Sequence, residues 1–150
     1  MKILIILVLS VVLFGCFHES ETEDNYEMML SATDSFDQPA TIFMQGETIK
    51  LNYSLTNTGE RDLIILTGTG CLVRYEIIDL SGNYIGVVPR LCLTVLPTET
   101  PLKPGETIND TFLWDQTVLL PPYNIPIGGY NIKAIFPGFE KSVSIQINII

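Results

Sequence analysis

An antiparallel β-sandwich is the fold this sequence predicts, and three observations predict it. Apolar and polar residues alternate with a period of two in segment after segment, which puts one face of each in a core and the other in water. Clusters of Gly, Pro, Asn and Asp interrupt the alternation roughly every ten residues, as a chain of strands and turns requires. No segment carries an apolar stripe at helical spacing. Seven to nine short strands of this kind describe an all-β sandwich of immunoglobulin-like type. At 150 residues, 47% of them hydrophobic, the chain has room for one such domain with small appendages.

The appendages are at the N-terminus. Met1 and Lys2 precede an apolar run over residues 3–14. That run is shorter than the roughly 20 residues a spanning helix needs. A charged start, a short apolar middle and a small residue at its end describe a secretory signal. The last four residues, Leu13, Phe14, Gly15 and Cys16, resemble the lipobox of prokaryotic lipoproteins. The resemblance implies that residues 1–15 are removed and that Cys16 carries lipid as the first mature residue. Residues 16–27 hold Glu19, Glu21, Glu23, Asp24 and Glu27 with little to bury, so they read as an acidic tether. The domain is expected over 28–150. The formal charge of −9 becomes −10 on loss of Lys2, from 7 − 17.

Within the domain the first strand is expected over 28–36, broken by Gln38 and Pro39, with a short edge piece over 41–44. The clearest strand starts at Gly46. Ile49, Leu51, Tyr53 and Leu55 share one face and Lys50, Asn52 and Ser54 the other, and Asn57, Thr58 and Gly59 supply the turn. Residues 62–67 form a continuous apolar run, expected of a strand covered on both faces. Val73, Tyr75 and Ile77 point one way in the next strand, Arg74 and Glu76 the other. Residues 97–104 contain three prolines and are expected to be a connection. Ile108, Phe112 and Trp114 share a face, with Asp110 the polar exception on it. Tyr130, Ile132, Ala134 and Phe136 mark a further strand, and Val143, Ile145, Ile147 and Ile149 the last. Tyr130, just after two glycines, suits a tyrosine corner, in which the hydroxyl bonds back to upstream backbone. Gly105, Glu106, Thr107 and Ile108 echo Gly46, Glu47, Thr48 and Ile49.

Ser81 and Gly82 lie between Leu80 and Asn83, a two-residue hairpin signal. The register that opposes Leu80 with Asn83 also opposes Cys71 with Cys92, so these two cysteines are expected to pair. An exported location permits it, and the closed loop would stabilise the fold by about 3 kcal/mol.

The acidic balance argues against nucleic acid, since phosphate binding needs a basic face. His18, the one histidine, lies in the tether, so Ser–His and Cys–His nucleophile pairs are absent from the domain. Asp79, Glu99, Glu106, Asp110 and Asp115 fall at expected turns and strand ends and read as solvated caps rather than a paired acid and base. No enzyme, cofactor or metal site is predicted. The candidate binding element is the loop over 119–127. Tyr123 is its central aromatic anchor, with Pro122 and Ile125 beside it. Leu119, Leu120 and Ile127 are expected to tuck under the sandwich instead.

Three segments together carry a family resemblance. They are residues 46–59 (Gly-Glu-Thr-Ile-Lys-Leu-Asn-Tyr-Ser-Leu-Thr-Asn-Thr-Gly), residues 102–107 running on to Phe112, Leu113, Trp114 and Asp115, and residues 129–134 (Gly-Tyr-Asn-Ile-Lys-Ala). In this order and spacing they resemble the intracellular proteinase inhibitor (BsuPI) family, β-sandwich domains of bacilli and other prokaryotes. The resemblance spans residues 43–136. It implies a β-sandwich and a protein partner of the protease class; the leader makes that partner extracytoplasmic. The alternative of a different class is a structural envelope module without a specific ligand. An exposed loop around Tyr123 favours binding, and a loop folded into the core favours the module.

Overall fold

The computed structural model describes residues 25–67, 71–90, 98–119, 123–136, 139 and 141–150. Among them the secondary structure is all β. In chain order the strands are β1 (Tyr26–Thr33), β2 (Ile42–Phe43), β3 (Ile49–Asn57), β4 (Leu63–Thr67), β5 (Arg74–Asp79), β6 (Tyr84–Val87), β7 (Thr98–Leu102), β8 (Thr107–Trp114), β9 (Thr117–Val118), β10 (Tyr123–Asn124), β11 (Gly128–Ile135) and β12 (Ser142–Ile149).

Two sheets carry the core. One has the order β1-β3-β8 and the other β2-β12-β11-β5-β6, with β4-β7 and β9-β10 as separate two-stranded pairs. All pairings are antiparallel except that of β2 with β12. The alternation read from the sequence sets the inward faces. Ile49, Leu51, Tyr53 and Leu55 of β3 are buried, as are Tyr75 and Ile77 of β5, Ile132 and Ala134 of β11, and Ile147 and Ile149 of β12. Each such aliphatic side chain contributes about 1.5–3 kcal/mol by leaving water. Trp114 is fully enclosed, and its Nε1–H donates to the Thr117 carbonyl at 2.6 Å.

The sequence echo is a repeated turn. Gly46 and Gly105 both have positive φ (83° and 78°). In each turn the following glutamate closes it twice. The Glu47 amide donates to the Met44 carbonyl at 3.0 Å, and its carboxylate accepts the Met44 amide at 2.9 Å. Glu106 does the same to Lys103, at 3.0 and 2.8 Å. Glycine at the third position and a backbone bond from fourth to first residue make this a type II turn. The two copies launch β3 and β8 from opposite ends of their shared ladder, where Ile49 faces Trp114 and Thr56 faces Thr107.

Several expectations are corrected. β1 begins at Tyr26, inside the stretch expected to be tether, because Tyr26 packs edge-on against Phe139 at 4.7 Å and pairs with Asn57. It ends at Thr33, where Asp34 caps a turn through the amides of Phe36 and Gln38. β4 is covered on one face only: Ile65 is buried, while Ile64 and Leu66 are about half exposed. The proline-rich connection is itself partly a strand, β7, which pairs with β4 and places Pro101 across from Ile64. Proline fits there because, among the described residues, β7 pairs on one side only, and a missing N–H on the other side costs nothing.

The β5–β6 hairpin keeps the expected register through Glu76–Val87 and Ile77–Gly86, and the Val88 amide donates to Tyr75. It slips by one residue at Ile78–Tyr84, so the irregularity lies next to the turn. Gly82, at φ 87°, and the Asp79 carboxylate, which accepts the amides of Ser81 and Asn83, build a wider turn than the two-residue one expected.

Candidate functional site

The ladders sort the molecule into two poles. At one, the chain enters the domain: Tyr26 lies across from Asn57, Thr56 from Thr107, and Ile135 from both Arg74 and Ser142. Charged residues surround this entry pole, among them Glu60, Arg61, Asp62, Lys103 and Lys141. A cleft of about 270 Å³ opens there between β1 and β12, lined by Tyr26, Glu27, Met28, Lys141, Ser142 and Val143.

The opposite pole is distinguished by exposed apolar side chains. Each strand of the five-stranded sheet meets it with a large exposed apolar side chain: Met44 follows β2, Ile150 follows β12, Ile127 precedes β11, Leu80 follows β5, and Tyr84 opens β6. Their exposures run from 54% to 63%, so these side chains are presented rather than tucked in. Register holds them at one end, with Gly128 opposite Ile149, Tyr130 opposite Asp79, and the Gln45 amide on the Ile150 carbonyl at 2.9 Å. Gly129 makes the close approach possible, because a side chain there would collide with Leu80.

The segment singled out from the sequence runs along the edge of β6 into this pole, rearranged from expectation. Tyr123 on β10 is 40% exposed, and its hydroxyl reaches the Ile85 carbonyl at 3.4 Å. Ile125, expected to contact a partner, is instead fully buried core, because its amide is tied to the Gln116 carbonyl at 2.9 Å and draws the chain inward. Leu119 and Ile127, expected to be tucked under, are exposed at 39% and 63%. The Leu119 amide bonds to the Val87 carbonyl at 3.1 Å, which lays the segment along the edge of β6. Pro122 and Leu120 lie outside the described residues, as do Cys16 and Cys92. Cys71 is buried and disulfide-bonded.

Two features steady the pole. Tyr130 forms the expected tyrosine corner, donating to the Pro126 carbonyl at 2.8 Å, and burial raises its pKa above the ordinary phenol value. Gln116 was invisible to sequence reasoning. It is buried with φ 65°; its Oε1 accepts the Gly46 amide at 2.9 Å and its Nε2 donates to the carbonyls of Met44 and Glu47 at 2.7 and 2.8 Å. Those bonds staple the end of β8 to the first of the twin turns. A lone glutamine gives no periodic signal, so nothing in the sequence marked it.

The acids divide. Asp79, Glu106 and Asp115 cap turns as expected, and the Asn83 side chain and amides hold the Asp79 pKa below the usual carboxylate value. Asp110 is no solvated cap. It faces inward and meets Arg90 through a two-point ion pair, with Nη2 to Oδ1 at 2.8 Å. That carboxylate raises the Arg90 pKa, and Arg90 also lies 5.4 Å over the Phe112 ring. Among the described residues no three His, Cys, Asp or Glu side chains come together to hold a metal.

No family model and no curated protein matches the chain. Solved structures do. The β-glucosidase of Listeria innocua in complex with gluconolactone aligns with 83% of this chain, at 10% identity and TM-score 0.47. The β-glucosidase EmGH1 of Erythrobacter marinus aligns with the same share, at 15% identity and TM-score 0.47. The alkylpurine DNA glycosylase AlkC of Pseudomonas fluorescens, bound to DNA containing an abasic site analog, aligns with 84%, at 13% identity and TM-score 0.52. This chain spans 16% of each glucosidase and 30% of AlkC. At such identity the AlkC likeness concerns the fold alone.

Proposed function

We propose that this chain is a lipid-anchored extracytoplasmic protein whose β-sandwich binds another protein at the apolar pole, with a protease as the partner class. The observation that carries the reading is the exposure of Tyr123 and Ile127, with Leu119 exposed beside them on the edge of β6. A loop folded wholly into the core would have favoured a structural module. Exposed aromatic and aliphatic side chains on a backbone pinned by Gln116 and Tyr130 lose little entropy on binding, which is what an interface anchor needs. The lipobox-like residues around Cys16 support the anchor, and the BsuPI resemblance over 43–136 supports the partner class.

The test is a titration of secreted serine, cysteine and metalloproteases with the chain from residue 16 onward carrying Cys16→Ser. Saturable inhibition with the chain intact, lost in Tyr123→Ala, supports the reading. Unchanged activity across the panel removes the inhibitor function. For the anchor, full-length protein carrying Cys16→Ser is expected to leave the membrane fraction, and persistent membrane association overturns it.

A further inference from the structure

We infer that the partner docked at the apolar pole is a protein face with an apolar centre and a cationic rim, and that the pole is not a membrane-inserting surface. The inference rests on the reading that this pole binds protein, and it is carried by charge. Five carboxylates stand at the pole. Asp34 caps the turn after β1, Asp37 stands in that same turn, Glu47 closes the first twin turn, Asp79 caps the β5–β6 hairpin, and Asp115 accepts the Thr117 amide. Against them stands Lys50, already bonded to Asp37 at 2.6 Å. The other described cations lie elsewhere: Arg61, Arg74, Lys103 and Lys141 at the entry pole, Lys133 along β11, and Arg90 against Asp110.

A bilayer selects the opposite pattern. Helices and loops that enter a lipid surface set Lys and Arg beside their apolar side chains, because the headgroup layer is negative. Here the exposed Met44, Leu80, Tyr84, Ile127 and Ile150 sit among fixed negative charges, which a lipid surface repels and a basic protein face attracts. Chain entry agrees. Asn25 and β1 begin at the far pole, and eight-residue strands at about 3.3 Å per residue put roughly 25 Å between the two ends. A tether attached at the entry pole leaves the apolar pole facing away from whatever anchors the chain.

The test uses the chain from residue 16 onward with Cys16→Ser and three probes. These are a synthetic peptide of alternating leucine and lysine, its counterpart of alternating serine and lysine, and vesicles of phosphatidylcholine containing phosphatidylglycerol. The leucine–lysine peptide is expected to bind and to shift the backbone resonances of Leu80, Tyr84 and Ile127. Its affinity should fall about tenfold in Ile127→Ser and in Tyr84→Ser, and fall with added salt. Ile64→Ser, on the exposed face of β4, should bind as the parent does. The serine–lysine peptide and the vesicles should not bind. Binding to vesicles, absence of peptide binding, or peptide binding unaffected by the two pole substitutions each overturns the inference. Peptide binding without inhibition of any protease would end the inhibitor reading and leave this one standing, whereas protease inhibition without peptide binding does the reverse.

Discussion

Asp110 lies directly across the β3–β8 ladder from Tyr53, so its carboxylate points between the sheets and draws Arg90 in after it. The side chains of the pair are only 11% and 19% exposed. Removing one partner from an ion pair this enclosed leaves a charge without compensation. Asp110→Ala and Arg90→Ala are each expected to cost about 3 kcal/mol. The double change Asp110→Leu with Arg90→Met is expected to cost far less than the two single losses together. Urea unfolding of the four proteins measures this; additive losses would show that the pair does not act as a unit.

Tyr53 and Tyr75 bring buried hydroxyls from the two facing sheets, and among the described residues neither makes a hydrogen bond. Burial raises both phenol pKa values, and the Asp110 charge adds to it. Both must therefore stay neutral in the folded state, whereas in the unfolded chain they ionise near pH 10. Because only the unfolded chain can ionise them readily, stability is unaffected by these groups' titration below about pH 10 and falls as pH climbs above it. The double substitution Tyr53→Phe with Tyr75→Phe should be neutral or stabilising by up to about 1 kcal/mol at pH 7. It should also flatten the alkaline fall in stability, read from thermal midpoints between pH 8 and 11. A large loss at pH 7 would mean that the hydroxyls hold a partner.

Gln116→Ala should be the most damaging single change at the apolar pole. It leaves the Gly46 amide and the carbonyls of Met44 and Glu47 without their partner and keeps a non-glycine residue at positive φ. A loss of about 3 kcal/mol in denaturant unfolding is expected. Gln116→Glu, which keeps the acceptor and loses both donors, should fall between. A loss no greater than that of an exposed substitution such as Ile64→Ser would remove the staple.

Cys71 is expected to pair with Cys92, since the β5–β6 register seen from Tyr75–Val88 to Ile77–Gly86 is the one that would set these two positions opposite each other. Non-reducing peptide mapping of the protein produced in an oxidising compartment should recover one cross-linked peptide containing both. Reduction should lower stability by about 3 kcal/mol. Recovery of Cys71 joined to any other thiol would refute the pairing.

What the sequence shows of this fold follows from the range of the forces involved. Strands whose faces differ in polarity, such as β3, β8, β11 and β12, announce themselves because alternation is local. The tyrosine corner at Tyr130 and the twin turns at Gly46 and Gly105 are equally local devices with recognisable residues. The misses depended on neighbours far along the chain. β7 hid behind its prolines because only its pairing with β4 reveals that one edge is free. Ile125 and Ile127, two residues apart with near-identical chemistry, part company because a backbone bond to Gln116 turns one inward. Asp110 looked like an exception on an apolar face and kept that place because Arg90, twenty positions earlier, reaches it.

The entry of the chain at the pole opposite Tyr123 also has a mechanical meaning. A pull on the apolar pole of a chain held at Asn25 would stretch the domain from end to end, parallel to its strands. The eight residue pairs of the β1–β3 ladder then share the tension together and must slide past one another, instead of peeling open pair by pair from one end. Rupture of the first strand thus requires its hydrogen bonds to fail as a group, so the attachment resists force most strongly along the axis on which a bound partner would pull.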